Sequence, residues 1–242
     1  MTEQNKQHLR HELKYPLDNM QYQLLRKNLA TVLKPDPHME PDGSYHIRSL
    51  YFDDIKNSAY FDKIAGVPRR KKYRIRIYNF SDKFIKLERK TKLNQYINKQ
   101  WVKLTREEAD KILVGNIDFL SNSSSRLLRE FYCASRCSLL RPVALVDYRR
   151  EAFVCSIGNV RITFDIGLQT NLGSIALFDQ NVPMMPVDEE FKIILEIKYD
   201  DFLPLHIRGL FLDTIKPQAA IGKFALCREL TNALTGCSVT RI

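Results

Sequence analysis

The sequence predicts an α+β fold built around an antiparallel β-barrel. Eight segments alternate between polar and apolar residues with the period of two that is typical of strands. Short turns join neighbouring segments, for example "YNFSD" between Tyr78 and Lys83. Helical patterns do not alternate regularly with the strands, which argues against a doubly wound parallel sheet. Since eight strands are enough to close a barrel, we expect a closed sheet with helices outside it.

The expected strands are short and lie along most of the chain. Between them, the spacing of apolar residues predicts a helix over Asp18–Leu33. Thr105 with Glu108 is a capping box that begins another helix, and Gly115 ends it. Further helices are expected at Ser125–Leu139, Leu205–Ile215 and Gly222–Leu234. The strands are expected at Leu9–Tyr15, Tyr45–Asp53, Lys71–Tyr78, Lys83–Thr91, Lys99–Leu104, Ala144–Cys155, Val160–Asp165 and Phe191–Tyr199.

Composition favours a globular protein with an anionic partner. The chain has 242 residues, of which 44% are hydrophobic and 27% are charged, so it can bury a sizeable core. Its formal net charge of +10 favours binding to nucleic acid, an acidic membrane or a phosphate-rich small molecule. The amino terminus is polar and carries no signal peptide, and no apolar stretch approaches the roughly 20 residues of a transmembrane helix. The five cysteines lack zinc-finger spacing, so we expect reduced thiols in a cytoplasmic protein.

Like charge is concentrated on one face of several expected strands. In "KKYRIRIY", residues 71–78, the cations Lys72, Arg74 and Arg76 lie opposite Ile75 and Ile77. One interpretation is a sheet with one solvated face. The other is a closed barrel with the polar faces inside, where a bound polyphosphate would offset the cost of burying so many cations. The polar faces hold almost no Ser, Gln or Asn, and helices are available to cover the apolar faces, so we favour the second interpretation.

Six motifs together resemble a known family. "YFDD", "KYRIRIY", "LERKT", "DYRREAF", "VRITFD" and "LEIKY" occur in the order seen in the polyphosphate polymerase domain of the vacuolar transporter chaperone (VTC) proteins, which are triphosphate tunnel metalloenzymes. The resemblance covers roughly residues 8–232, so we expect a single domain over 1–242. It implies a closed eight-stranded antiparallel tunnel with flanking helices. ATP would bind inside with Mn or Mg and pass its terminal phosphoryl group to a growing polyphosphate chain.

The resemblance also implies roles for individual residues. Glu196 would be the metal ligand, although half of a buried ion pair is an alternative. Lys223 could instead be a solvated lysine at a helix start, and Lys99 could lie on an exposed edge. Glu12 and Glu88 would be secondary tunnel residues. The implied catalytic residues are Lys14, Arg74, Arg76, Lys90, Arg150 and Glu196, and the implied phosphate-binding residues are Lys14, Arg74, Arg76, Lys90, Lys99, Tyr148, Arg150, Lys198 and Lys223.

One departure from the superfamily bears on the reaction. Its triphosphatases typically begin with E-x-E-x-K, whereas Arg10 replaces the first glutamate here. The loss of a carboxylate disfavours hydrolysis and favours a polymerase. Three hypotheses therefore stand: a metal-dependent polyphosphate polymerase, a tunnel triphosphatase and a non-catalytic polyphosphate-binding module. Nucleic acid is not expected as a partner, because the aromatic residues fall mostly on faces predicted to pack. A separate membrane protein is a further candidate partner.

Overall fold

The computed structural model describes residues 10–94, 96–188, 190, 192–211 and 217–236. The helices in this part of the chain are α1 (Asn19–Val32), α2 (Ser58–Ile64), α3 (Arg106–Leu113), α4 (Arg126–Ser138), α5 (Leu205–Arg208) and α6 (Lys223–Thr235). The strands are β1 (His11–Leu17), β2 (Lys34–Pro35), β3 (Tyr45–Asp53), β4 (Arg69–Tyr78), β5 (Ser81–Leu93), β6 (Tyr96–Leu104), β7 (Arg141–Cys155), β8 (Val160–Thr170), β9 (Met185–Pro186) and β10 (Ile193–Tyr199). All eight expected strands are present, and α2, β2 and β9 are additional.

Local sequence signals account for several helix ends. The Asp18 side chain accepts a hydrogen bond from the Gln21 backbone N–H at the start of α1, and the Gln21 side chain accepts one from the Asp18 N–H. The predicted capping box of Thr105 and Glu108 begins α3 in the same way. One prediction was too long: α5 ends at Arg208, and residues 212–216 lie outside the described part of the chain. Leu9 and Phe191, at the starts of two expected strands, also lie outside it.

The prediction of a closed eight-stranded barrel is wrong. The sheet has ten strands in the order β1-β10-β8-β7-β3-β4-β5-β6, with β2 paired to β7 and β9 paired to β8. All these pairs are antiparallel, and no pairing joins β1 to β6 in the part of the chain described. Instead, the free edge of β1 contacts the segment before α6, where the Ala219 N–H donates to the Lys14 carbonyl at 3.0 Å.

The open sheet is nevertheless strongly curled. β1 and β5 are six strand spacings apart in the sheet order, which would be about 29 Å in a flat sheet. Yet Lys90 Nζ on β5 lies 2.8 Å from Glu12 Oε2 on β1. The polar faces of the strands therefore share one concave surface. We call it the groove, and its residues are Glu12, Lys14, Arg74, Arg76, Glu88, Lys90, Lys99, Tyr148, Arg150, Asp165, Glu196 and Lys198, with Lys223 from α6.

Helices α1 and α4 cover the convex, apolar face of the sheet, as predicted, whereas α6 lies on the concave side. Ile75 and Leu87 are fully buried in a cluster that includes Phe131 of α4. Leu25 of α1 is fully buried in a second cluster with Leu195 of β10. A third cluster lies on the concave side, where residues of α6 pack against β3, β7 and β8. The apolar side chains thus form cores with the helices, and the charged side chains are left to face the groove.

Two further sequence expectations can be compared with the structure. Within the described residues, no helix is long and apolar enough to cross a membrane. Cys133, Cys137, Cys155 and Cys227 are free thiols, as expected, whereas Cys237 lies outside the described residues.

Candidate functional site

The pairing of β1 with β10 builds the centre of the groove. Its register places Lys14 opposite Glu196. The Lys14 ammonium lies 3.0 Å from Glu12 Oε1 and 3.4 Å from Glu196 Oε1, so it bridges the two carboxylates. Lys90 lies 2.8 Å from the other oxygen of Glu12, and Lys198 lies 3.1 Å from the other oxygen of Glu196. Two carboxylates and three lysines therefore form one network.

Burial and ion pairing have opposite effects on the pKa values in this network. Burial opposes the charge on Lys14, but Glu196 and Glu12 outweigh it and raise the pKa of Lys14. Burial also opposes the charge on Glu196, but Lys198 and Lys14 hold the pKa of Glu196 well below its usual range. Lys14 and Glu196 are consequently ions at neutral pH, whereas burial lowers the pKa of Lys90 and of Lys198 despite their carboxylate partners.

A second group of ions lies where α6 meets β7 and β8. Arg150 donates to Asp165 through Nε at 2.5 Å and through Nη2 at 2.7 Å. Lys223, the first residue of α6, places its ammonium 2.5 Å from Asp165 Oδ2. Asp165 is fully buried, and these two cations lower its pKa to about 2 against the opposing effect of burial. Arg150 Nη2 also lies 3.5 Å from Glu196 Oε2, which joins this group to the centre.

A third group lies on β4, β5 and β6. The buried Glu88 carboxylate accepts from Arg74 Nε at 2.6 Å, and Lys99 Nζ lies 2.7 Å from its other oxygen. Arg74 also donates to the Tyr51 hydroxyl at 2.7 Å. Burial lowers the pKa of Lys99 to about 7, and the neighbouring Arg74 adds to this effect while Glu88 opposes it. Lys99 is therefore a groove cation that changes charge near neutral pH.

Arg76 differs from the other groove cations in having only neutral partners. Its residue is only 5% exposed. Its guanidinium donates to Ser49 Oγ at 2.9 Å and to the Tyr148 hydroxyl at 3.1 Å. No carboxylate forms an ion pair with it among the described residues. A buried cation without a counter-ion is costly, and a bound anion would remove that cost.

The structure brings together all the residues implied by the resemblance, while their roles remain predictions. Lys223 is paired with a buried carboxylate rather than solvated, and Lys99 lies at the edge of the sheet but is paired with Glu88. Glu196 is buried among cations, as the ion-pair alternative requires, and this does not exclude metal binding. Arg10 is drawn away from the groove, since its Nε lies 2.9 Å from Asp200 Oδ1.

Three groove contacts were not anticipated. They are the contacts of Asp165 with Arg150 and Lys223, of Tyr51 with Arg74, and of Ser49 with Arg76. The alternation of β3 carries the signal for the last two, because Leu50 and Phe52 face the core and their neighbours must face the groove.

Glu12 and Glu196 are the best candidates for metal ligands. Their carboxylates share the Lys14 ammonium and are close enough for each to affect the pKa of the other. Mg²⁺ is usually held by one or two carboxylates together with substrate phosphates, and this pair fits that pattern. No group of three or more His, Cys, Asp or Glu side chains suited to a metal occurs among the described residues. A bound metal would therefore need oxygens from the substrate or water.

Fold and groove together define an α+β protein whose curled antiparallel sheet buries a cation-rich concave surface. The chain belongs to the VTC domain family, whose model matches residues 9–231. No curated protein matches the sequence. Among solved structures, protein PH1819 of Pyrococcus horikoshii is 12% identical, with 91% of this chain and 99% of that chain covered and a TM-score of 0.49. A "putative adenylate cyclase" of Bacillus halodurans is 11% identical, with 100% and 94% covered and a TM-score of 0.49. At TM-scores of 0.49, neither similarity assigns a role to this chain.

Proposed function

We propose that this protein is a polyphosphate polymerase that transfers the terminal phosphoryl group of ATP to a growing polyphosphate chain, with Mn²⁺ or Mg²⁺ bound. The observation that carries the proposal is the buried Arg76 guanidinium, which has no carboxylate partner in the described structure. Around it, the groove holds eight cations and four carboxylates, a formal excess of four positive charges. A chain of phosphates supplies the missing negative charge along the whole groove.

The arrangement of the cations suits phosphoryl transfer. This reaction needs little covalent help from the protein and depends on positioning and on neutralising charge. Arg74, Arg76 and Arg150 present guanidinium groups that can bind phosphate oxygens in pairs, whereas the lysines act as point charges. Because most of these groups are held by buried carboxylates or hydroxyls, they are already in place when the substrate arrives.

The metal would be held by Glu196, with Glu12 beside it. When bound, it would neutralise charge on the phosphate oxygens during transfer. Lys14 would position both carboxylates, since its ammonium contacts each of them. Lys198 and Lys90 would limit the negative charge of the pair in the free protein.

A non-catalytic polyphosphate-binding module is the second candidate. It is favoured by one observation: each of the four groove carboxylates already contacts at least one cation. Hydrolysis of triphosphate is the weaker alternative, because the position of the first superfamily glutamate is taken by Arg10, which pairs with Asp200.

Labelled ATP, a polyphosphate primer and Mn²⁺ separate these hypotheses. A polymerase lengthens the primer, a triphosphatase releases phosphate, and a binding module does neither while retaining the primer. In the Glu196→Gln variant, polymer synthesis should fall at least tenfold and recover in part at high Mn²⁺, while polyphosphate affinity should hold or increase. Glu107→Gln, an exposed glutamate on α3, is the matched control. Unchanged synthesis in Glu196→Gln would refute the metal assignment.

A further inference from the structure

Three aromatic side chains lie on the concave face at one end of the sheet, in addition to Tyr148, which was expected there. Tyr78 ends β4, Phe84 lies near the start of β5, and Trp101 lies on β6. The Tyr78 and Phe84 rings are close to parallel, with centroids 6.4 Å apart and an interplanar angle of 28°. Trp101 meets Phe84 edge-on, with centroids 6.0 Å apart. We call these three rings the aromatic platform.

The platform is accessible and is accompanied by a cation. Phe84 is 39% exposed, although a large apolar side chain normally packs inward. The Lys86 ammonium lies 4.5 Å from the Phe84 ring centroid, 4.6 Å from that of Trp101 and 5.5 Å from that of Tyr78. No ion pair joins Lys86 to a carboxylate in the described part of the chain. Lys86 is held over the rings by cation–π contacts, and its ammonium has no carboxylate partner there that would compete with a bound anion.

The platform continues directly from the phosphate-binding residues. Lys86 is the register partner of Arg76, and Trp101 is the register partner of Glu88. One end of the groove thus carries rings with a lysine over them, next to a guanidinium that lacks a paired carboxylate. A molecule that fits this sequence of groups has a flat aromatic part joined to a run of phosphates.

We propose that the aromatic platform binds the base of the nucleoside triphosphate donor, so that the nucleotide lies with its base stacked on Phe84 and bordered by Trp101, and its phosphates directed towards Arg76. This inference rests on the proposed function and adds the orientation of the nucleotide in the groove. Stacking of a base on an aromatic side chain tolerates different bases, so the platform distinguishes a nucleotide from bare triphosphate more strongly than it distinguishes one base from another. Lys86 would contact the phosphate nearest to the sugar.

Intrinsic fluorescence tests this proposal directly, because Trp101 is the only tryptophan in the chain. ATP and inorganic tripolyphosphate are titrated at the same Mg²⁺ concentration. ATP should change the tryptophan emission and tripolyphosphate should change it much less. In Phe84→Ser, the dissociation constant for ATP, measured by calorimetry, should rise about fivefold to a hundredfold, and that for tripolyphosphate should stay within about twofold.

Phe119→Ser is the matched control for this experiment. Phe119 has a similar exposure of 37%. Like Phe84, it has a lysine ammonium 5.7 Å from its ring centroid: Lys111 for Phe119, and Lys103 for Phe84. It lies outside the groove, so ATP affinity should not change. If ATP and tripolyphosphate bind equally well without a difference in emission, or if Phe84→Ser weakens both equally, the platform is refuted while the groove stands. If tripolyphosphate does not bind at all, the proposed function fails, and the platform fails with it.

Discussion

Arg74 and Arg76 face the groove from the same strand, yet replacing Arg74 should mainly affect stability and replacing Arg76 should mainly affect ligand binding. Arg74→Met leaves the buried Glu88 carboxylate with Lys99 as its remaining ion-pair partner, 2.7 Å away. Arg76→Met removes the donor to Ser49 Oγ and one of the two donors to the Tyr148 hydroxyl, which keeps Arg150 Nη2 at 3.5 Å. It also removes a buried charge that burial and Arg74 disfavour and that Tyr148 and Glu88 favour. The first change should therefore destabilise the free protein, and the second should mainly weaken ligand binding.

The structure allows the size of both effects to be worked out. Breaking a buried ion pair costs about 3–5 kcal/mol, and the lower end applies because Lys99 stays in place. For a chain of this size, 1 kcal/mol corresponds to a change in Tm of about 2–4 °C, so Arg74→Met should lower Tm by about 6–12 °C. In Arg76→Met, the lost hydrogen bonds of about 1 kcal/mol each are only partly offset by the relief of burial and of repulsion from Arg74, so Tm should fall by less than about 4 °C.

Thermal unfolding with and without tripolyphosphate at low salt measures both effects. At a ligand concentration 100 times its dissociation constant, the parent protein should gain about 2.7 kcal/mol, which is a rise in Tm of about 5–11 °C. Arg76→Met should lose most of this rise at the same ligand concentration. Arg69→Met, which removes an exposed arginine from the same strand, should keep it. The reasoning is refuted if Arg76→Met is as unstable as Arg74→Met, or if it retains the full rise.

The remaining predictions concern two of the other groove groups. The pKa of Lys99 is about 7 in the folded protein and higher in the unfolded chain. Above pH 7, unfolding therefore takes up a proton at Lys99. The free energy of unfolding of the free protein should consequently increase as pH rises from about 7 to 10. Anion binding favours charged Lys99, so tripolyphosphate affinity should fall over the same range. Lys99→Arg should show a smaller fall in calorimetry, and an equal fall would contradict this assignment. Asp165→Asn leaves Arg150 and Lys223 buried without their shared carboxylate, and should cost about 3–5 kcal/mol in urea unfolding. A loss below 1 kcal/mol would show that the two cations find other partners.

Local sequence patterns were sufficient to predict most of the secondary structure and the faces of the strands. The bounds of β3 agree with the expected Tyr45–Asp53, and the helix begun by Thr105 is present. The period of two also separated Arg74 and Arg76 from Ile75, because successive side chains of any strand point to opposite faces. These features depend on residues close together in the chain, and local sequence patterns therefore predict them.

The tertiary structure alone decided which strands pair and which ions meet. Whether the sheet closes depends on β1 and β6, whose residues are far apart in the chain and carry no local signal for pairing. The edge of β1 contacts Ala219 instead. Asp165 meets Lys223 only because α6 packs against β7 and β8, and Lys90 meets Glu12 only because the sheet curls. Alternation determines which way a side chain points, whereas its partner is determined by the packing of distant segments.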